Sequence, residues 1–474
     1  MRSIIPYLLF LFLLVMFTCS CRRDKTLTDP SAKLSFSMDT VLFDTVFTSI
    51  GSSTKQLKIY NNNNSKVIVS NIRLGHGNAS PYRFNVDGIP GPSVKDLEIL
   101  AKDSIFLFVE VTVDPLNSNS PLIVTDSILF ETNGNQQDVN LVAWGQNAHY
   151  IRPDTYLQGL PPFSIVCDTT WTNNIPHVIY GYAVIDSLCK LTIEQGTQIH
   201  FHNNSGLWVY KGGSIKVNGT QDLPVVFQGD RLEPYYKEIP GQWDRIWLNE
   251  GSIDNEFNYA IIKNGLIGIQ AETLEGFMGN QLTLNNSIIK NMSRSGIFSR
   301  FYKIQAGNTV ISNCGLYAAE LTMGGYYEFN HCTFANYWNQ GTRKTPSVMV
   351  LNYYKDQNQQ VYASPLYKAD FNNSIIYGSL EDEVLVDDIG QGVDFNYGFN
   401  YTLVRTAKEL SGSLVYKNED PQFTDITKGD FSLKPNSFAI EKGSPTFVTG
   451  VLITDINGNI RSGNPDLGAF EFTP

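Results

Sequence analysis

The sequence predicts an all-β chain, a small antiparallel β-sandwich followed by a right-handed parallel β-helix. Two observations predict it. Charged residues make up only 17%, while Gly (38), Tyr (24) and Phe (28) are abundant, a composition of strands and turns, not of helical bundles. Five eight-residue segments also recur without gaps, at 257–264, 284–291, 306–313, 329–336 and 371–378. The first four follow one another at steps of 27, 22 and 23 residues and the fifth at 42. A step of this size is one coil of a solenoid, so at the long step a coil is masked or carries an insertion.

Residues 1–20 read as an export signal. Arg2 supplies a positive start, and residues 4–17 are almost unbroken apolar sequence, too short for a spanning helix of about 20 residues. Then comes Thr18-Cys19-Ser20-Cys21-Arg22-Arg23-Asp24. A small residue before a Cys, with charge directly after it, resembles the lipobox of bacterial lipoproteins, although Thr18 stands where a lipobox usually carries Leu. The resemblance implies that Cys21 is acylated, with Cys19 as the competing position; an ordinary signal peptide cut nearby is the alternative. Several acyl chains, at about 0.8 kcal/mol per buried CH₂, hold a protein on a membrane stably. Residues 21–33 then form the lipidated Cys and a polar tether.

Residues 34–148 alternate short strands with turns. The run 104–113 places Ile105, Leu107, Val109, Val111 and Val113 on one face, and Asn61-Asn62-Asn63-Asn64 marks a turn. This is the pattern of an antiparallel sandwich. It resembles the small immunoglobulin-like domains at the front of many exported bacterial proteins.

Residues 149–474 carry the repeat. Its first position is apolar (Phe257, Leu284, Ala306, Phe329, Phe371), its fourth small (Ala260, Ser287, Thr309, Cys332, Ser374), and its sixth apolar again (Ile262, Ile289, Ile311, Phe334, Ile376). Strand alternation turns the first and sixth positions inward. The eighth position is Asn264, Asn291, Asn313, Asn336 and Gly378, which predicts an Asn ladder from coil to coil. Cys314 and Cys332 fall in different columns and are not expected to pair. Cys167 and Cys189 can pair where neighbouring strands bring them together.

Earlier stretches, LTIEQGTQIHF from Leu191, GLWVYKGGSIKVNGT from Gly206 and GQWDRIWL from Gly241, fit the first coils. With the repeated NNSII and the terminal DLGAFE from Asp466, they resemble right-handed parallel β-helix repeat lipoproteins of Gram-negative bacteria, in the pectate-lyase-like superfamily. The resemblance covers roughly two-thirds of the chain by repeat register. It implies that the segment from about 420 onward, ending in DINGNIRSGNPDLGAFEF from Asp455, closes the open end of the stack.

The candidate chemistry is sparse. A net charge of −11 with no basic face excludes nucleic acid as a partner. Lys263 and Lys290 share an outward column, as a lyase acting on an anionic sugar would require of its base. Asp387 and Asp388 are the one Asp pair of the helix, in an acidic loop with Glu381, Asp382 and Glu383 beyond the last clear repeat. They are the candidates for a hydrolase, and the cluster is the candidate for Ca²⁺, although it lacks EF-hand order. Each has a bland counterpart: a solvated lysine row and a solvated acidic loop. His200 and His202 share a face without a third ligand, and no cofactor or other metal is expected. The aromatic residues Trp208, Tyr210, Trp243 and Trp247 are candidates for stacking on sugar rings, their bland role being to cover gaps between coils. The expectation is a non-catalytic lipoprotein, lipid-anchored in the cell envelope at the outer membrane, that binds glycan or another envelope component. A polysaccharide lyase or glycoside hydrolase and a purely structural envelope protein are the alternatives.

Overall fold

The computed structural model describes residues 25–48, 51–113, 122–273, 281–390 and 392–473; Cys19, Cys21 and the leader lie outside them. The chain forms two compact units, Met1–Asn147 and Ala148–Pro474.

In the first unit, alternation drives two sheets together. Along Ser104–Val111 the residues Leu107, Val109 and Val111 are buried while Phe106 and Phe108 face outward. The strands order as Ser35–Phe36, Lys55–Tyr60, Ser104–Val111, Tyr82–Val86, Ile89–Gly91 in one sheet, and Thr40–Phe47, Asn135–Gln146, Leu122–Thr132, Val67–Leu74, Ser93–Ile99 in the other. Their inner faces share one core that includes Phe43, Tyr82 and Phe130. One pair departs from the antiparallel expectation: Thr40–Phe47 runs parallel to Asn135–Gln146. Strands this far apart in sequence are free of the hairpin geometry that enforces antiparallel pairing. The Asn turn is more than a turn. Asn61 is fully buried, and its amide donates to the carbonyls of Ser65, Ile99 and Leu100.

The second unit is a parallel β-helix with three faces. The first face runs through Phe163–Ile165, Tyr182–Ile185, Gly206–Val209, Ile246–Leu248 and Ile267–Glu272. The second runs through Thr169–Trp171, Lys190–Glu194, Ser214–Asn218, Asn255–Asn258 and Leu282–Asn285. Both continue into Ser295–Gly307 and Tyr317–Asn330, where the corner between them straightens and one long strand serves both. The third face is an 11-stranded parallel sheet from His149–Ile151 to Val415–Lys417.

The inward columns stack as the repeat predicts. Ile262, Ile289, Ile311, Phe334 and Ile376 pair coil after coil and are fully buried. So do Phe257, Leu284, Ala306, Phe329 and Phe371. Phe371 stacks between Phe329 at 5.1 Å and Phe399 at 5.0 Å. Burying such a ring contributes roughly 1.5–3 kcal/mol.

The Asn ladder sits one corner earlier than expected. Tyr259, Asn286, Asn308, His331, Asn373 and Tyr401 all turn the corner from second to third face with φ between 46° and 51°, a left-handed conformation Asn tolerates best after Gly. Side chains at this corner bond along the axis: Asn308 to Asn286 at 2.9 Å, Asn372 to Asn330 at 2.8 Å and Asn400 to Asn372 at 2.8 Å. At the expected eighth position, Asn291 reaches Asn264 only at 3.5 Å. The fourth-position hydroxyls close the same corner, as when Ser374 donates to the carbonyl of Asn372 at 2.8 Å.

The long step of 42 residues holds an insertion and no hidden coil, because Tyr317–Asn330 pairs directly with Leu366–Asn372 and Thr333–Asn336 directly with Ile375–Gly378. The insertion includes the hairpin Tyr353–Lys355 and Val361–Ala363. Cys167 and Cys189 form a disulfide one coil apart. Cys314 and Cys332 are buried thiols, each pushed up to about 12 by burial. The C-terminal segment, expected over the open end, lies along the flank of the third face. Phe423, Phe431, Leu467 and Ala469 pack on the outward residues Val310, Ala335, Ile375 and Leu403 of successive coils, and Gly468 donates to the Asn373 carbonyl at the left-handed corner.

Candidate functional site

Strand alternation on the first face sends every second side chain outward. In three successive coils those are Val184, Trp208 and Trp247, in register. The two indoles stack at 4.8 Å with 17° between planes. Tyr210 meets Trp208 edge-on at 5.7 Å, and Phe163 does so at 6.5 Å. Together they line a groove of about 440 Å³ with Leu160, Ile165, Asp186 and Asn249. The rings are not equivalent. Trp208 is only 7% exposed, its faces taken up by neighbouring coils, whereas Tyr210 is 41% exposed. Trp208 thus fills the gap between coils, and Tyr210 and Trp247 pack against it as rings that line the groove.

Polar residues extend this groove along the axis. The Trp247 indole N–H donates to Glu272 at 2.7 Å, Gln270 donates to the same carboxylate at 3.1 Å, and Arg300 pairs with it at 2.7 Å. The Arg300 guanidinium lies 5.1 Å from the ring of Phe298 and 5.2 Å from that of Tyr354 in the inserted hairpin. Asn249, Glu250, Glu272 and Arg300 line a second cavity of about 250 Å³, so Asn249 borders both. Sequence patterns do not single out Glu272, Arg300 or Phe163. Their only signal is first-face register, which the clear repeat at the second-to-third corner does not display.

Trp243, expected beside Trp247 on the outside, is in the core. It is buried, stacks on Phe201 at 4.4 Å and donates its N–H to the Lys263 carbonyl at 2.8 Å. It precedes the strand Ile246–Leu248, so counting alternation from Trp247 does not apply to it. Gly265 makes the room: a Cβ there would lie 2.9 Å from the indole.

Lys263 and Lys290 do share an outward column of the third face, in register. However, the insertion around Pro234–Glu238 is tied down over this row. Glu238 pairs with Lys290 at 3.1 Å and also accepts from Asn291, while Asn264 donates to the Lys237 carbonyl at 2.9 Å. Burial pushes the Lys263 ammonium below its ordinary pKa, partly opposed by Glu238. The depressed value suits a base, but neither lysine lines the two grooves of the first face. The two histidines differ in burial. His200 is buried with Nδ1 3.1 Å from the Gly229 carbonyl, and burial lowers it to about 4, whereas His202 is half exposed beside Asp230 at 2.7 Å.

Asp387 and Asp388 lie within a coil, not beyond the repeat, since Val384–Asp387 pairs with Val348–Leu351. Asp387 accepts from the Tyr353 hydroxyl at 2.5 Å and Asp388 from Asn352 at 2.6 Å, so both anchor the inserted hairpin. Glu383 is no part of a solvated loop: it is fully buried and bidentate to the equally buried Arg343, at 2.6 and 2.8 Å. Asp382 turns the other way to cap Thr406 and Ala407. The acidic cluster therefore does not converge, and among the described residues no three His, Cys, Asp or Glu side chains are placed to hold a metal ion.

No family model matches the chain. No curated protein matches it either. Among solved structures, the catalytic unit of a thermostable GH87 α-1,3-glucanase from Streptomyces thermodiastaticus is similar over 76% of this chain and 88% of that one, at 8% identity and a TM-score of 0.18. A family 123 glycoside hydrolase from Clostridium perfringens is similar over 24% of this chain, at 10% identity and a TM-score of 0.18; the match spans 25% of that enzyme's length. The E. coli chaperone DraB is similar over 26% of this chain and 56% of its own, at 10% identity and a TM-score of 0.17.

Proposed function

We propose that the chain is an exported, lipid-anchored protein of the cell envelope that binds a glycan on the first face of its β-helix without transforming it. The observation that carries the reading is the groove of Trp208, Trp247, Tyr210 and Phe163, an aromatic strip bordered by Asp186 and Asn249. Flat rings with a few polar groups at the rim suit a sugar, whose ring has an apolar face and an equatorial belt of hydroxyls. Against catalysis stands the state of the carboxylate bonded to the Trp247 indole from the adjoining cavity: Glu272 is committed to Trp247, Gln270 and Arg300. Anchoring rests on Ser20-Cys21 followed by charge.

The test is calorimetric titration of the detergent-solubilised full chain with neutral hexasaccharides, alongside assays for new reducing ends and unsaturated products. Saturable binding with unchanged sugar supports the reading. Product formation, lost in Lys263→Ala or Lys290→Ala, would replace it with a lyase. Membrane release by Cys21→Ser tests the anchor separately, and retention of that variant on the membrane would refute acylation at Cys21.

A further inference from the structure

We infer that the first-face groove selects glycans built of uncharged sugars and turns away polyuronates, an inference that rests on the groove being a glycan site at all. The charges lining the two adjoining cavities are three carboxylates, Asp186, Glu250 and Glu272, against one guanidinium, Arg300. Arg300 is already neutralised by Glu272 at 2.7 Å, and its face is flanked by the rings of Phe298 and Tyr354. A uronate carboxylate docked on Tyr210 or Trp247 therefore meets Asp186 on one side and Glu250 on the other, with the nearest lining cation paired. Lys211 packs its stem on Gly251 and lines neither cavity. A chain of net charge −11 adds a repulsive long-range field for any polyanion. A sugar hydroxyl, by contrast, is a donor that Asp186, Asn249 or Glu250 can accept from, trading bound water for the sugar with no charge repulsion. The arrangement is the reverse of a uronate site, which surrounds each carboxylate with cations.

The experiment is a printed array of linkage-matched hexasaccharides, each present as the neutral hexose and as its uronate, probed with the full chain at 20 mM and 500 mM salt. The expected result is binding to at least one neutral member, with its uronate partner weaker by about tenfold or more at low salt. That gap narrows at high salt and in Asp186→Asn and Glu250→Gln. A uronate bound as well as or better than its neutral partner would overturn the selectivity while leaving the groove a glycan site. Silence on every neutral and acidic member would remove the glycan reading itself, and the selectivity with it.

Discussion

The first and third faces of the solenoid share one backbone repeat and end with opposite surfaces. On the first, the outward column Val184, Trp208, Trp247 borders an open groove. On the third, the outward column through Lys263 and Lys290 lies against the insertion around Pro234–Glu238, and its later coils lie under the C-terminal segment. Alternation along a strand decides whether a side chain leaves the core. Whether it then meets water is decided by the connections between coils, which obey no period. Candidate residues on the two faces are therefore equivalent by pattern, yet one set is open and the other is structural.

The largest predicted effect concerns the buried indole beneath the third-face cover. Trp243→Ala should lower unfolding free energy by about 3–5 kcal/mol and speed acetylation of Lys263, read by peptide mass spectrometry. Unchanged Lys263 reactivity would show that the cover does not shield this row.

The insertion that brings Tyr354 against Arg300 also carries Arg343, held to Glu383 by a buried ion pair. Removing one partner leaves an uncompensated buried charge, so Glu383→Ala should cost about 3–5 kcal/mol and open residues 337–365 to protease. A denaturation midpoint equal to wild type would refute the role assigned to this pair.

The pH dependence distinguishes the covered residues next. Burial lowers His200 to about 4 from 6.5, so the folded state binds fewer protons than the unfolded one between those values. Stability contributed by neutral His200 is complete above pH 6.5 and lost as pH falls toward 4, on the order of 3 kcal/mol. Burial raises Glu471 to about 7 from 4.5, with the opposite sign: its contribution is present below pH 4.5 and lost as pH rises through 7. Chemical denaturation across pH 4–8 should show His200→Asn flattening the acid limb and Glu471→Gln flattening the slope between 4.5 and 7. Parallel curves for both variants and wild type would contradict the assignments. The smallest effect is at Lys290, whose ion pair with Glu238 is partly exposed: Lys290→Ala should shift stability by less than about 1 kcal/mol.

What is legible in the sequence follows from what repeats. The inward files at Ile262 and Phe257 are readable because burial constrains the same column in every coil. The ladder is displaced because asparagines recur at both the second and the eighth repeat positions, and a string of letters does not tell them apart. Both corners are left-handed, at Asn286, Asn308 and Asn373 and at Asn264, Asn291 and Asn313 alike, and what separates them is side-chain spacing along the axis, 2.8–2.9 Å at the first against 3.5 Å at the second. Of the candidate site, Trp208, Tyr210 and Trp247 are legible by alternation. Trp243 is not, because it stands outside the strand. Glu272 and Arg300 are not, because their neighbourhood is made across coils by register alone.

The most direct test compares the faces in one assay, the affinity of the full-length protein for the neutral hexasaccharide it binds best. Tyr210→Ala removes the exposed ring of the open face and should weaken binding about fivefold or more, whereas Lys263→Ala and Lys290→Ala should stay within about twofold of wild type. Loss of binding in the lysine variants with full affinity in Tyr210→Ala would contradict the account.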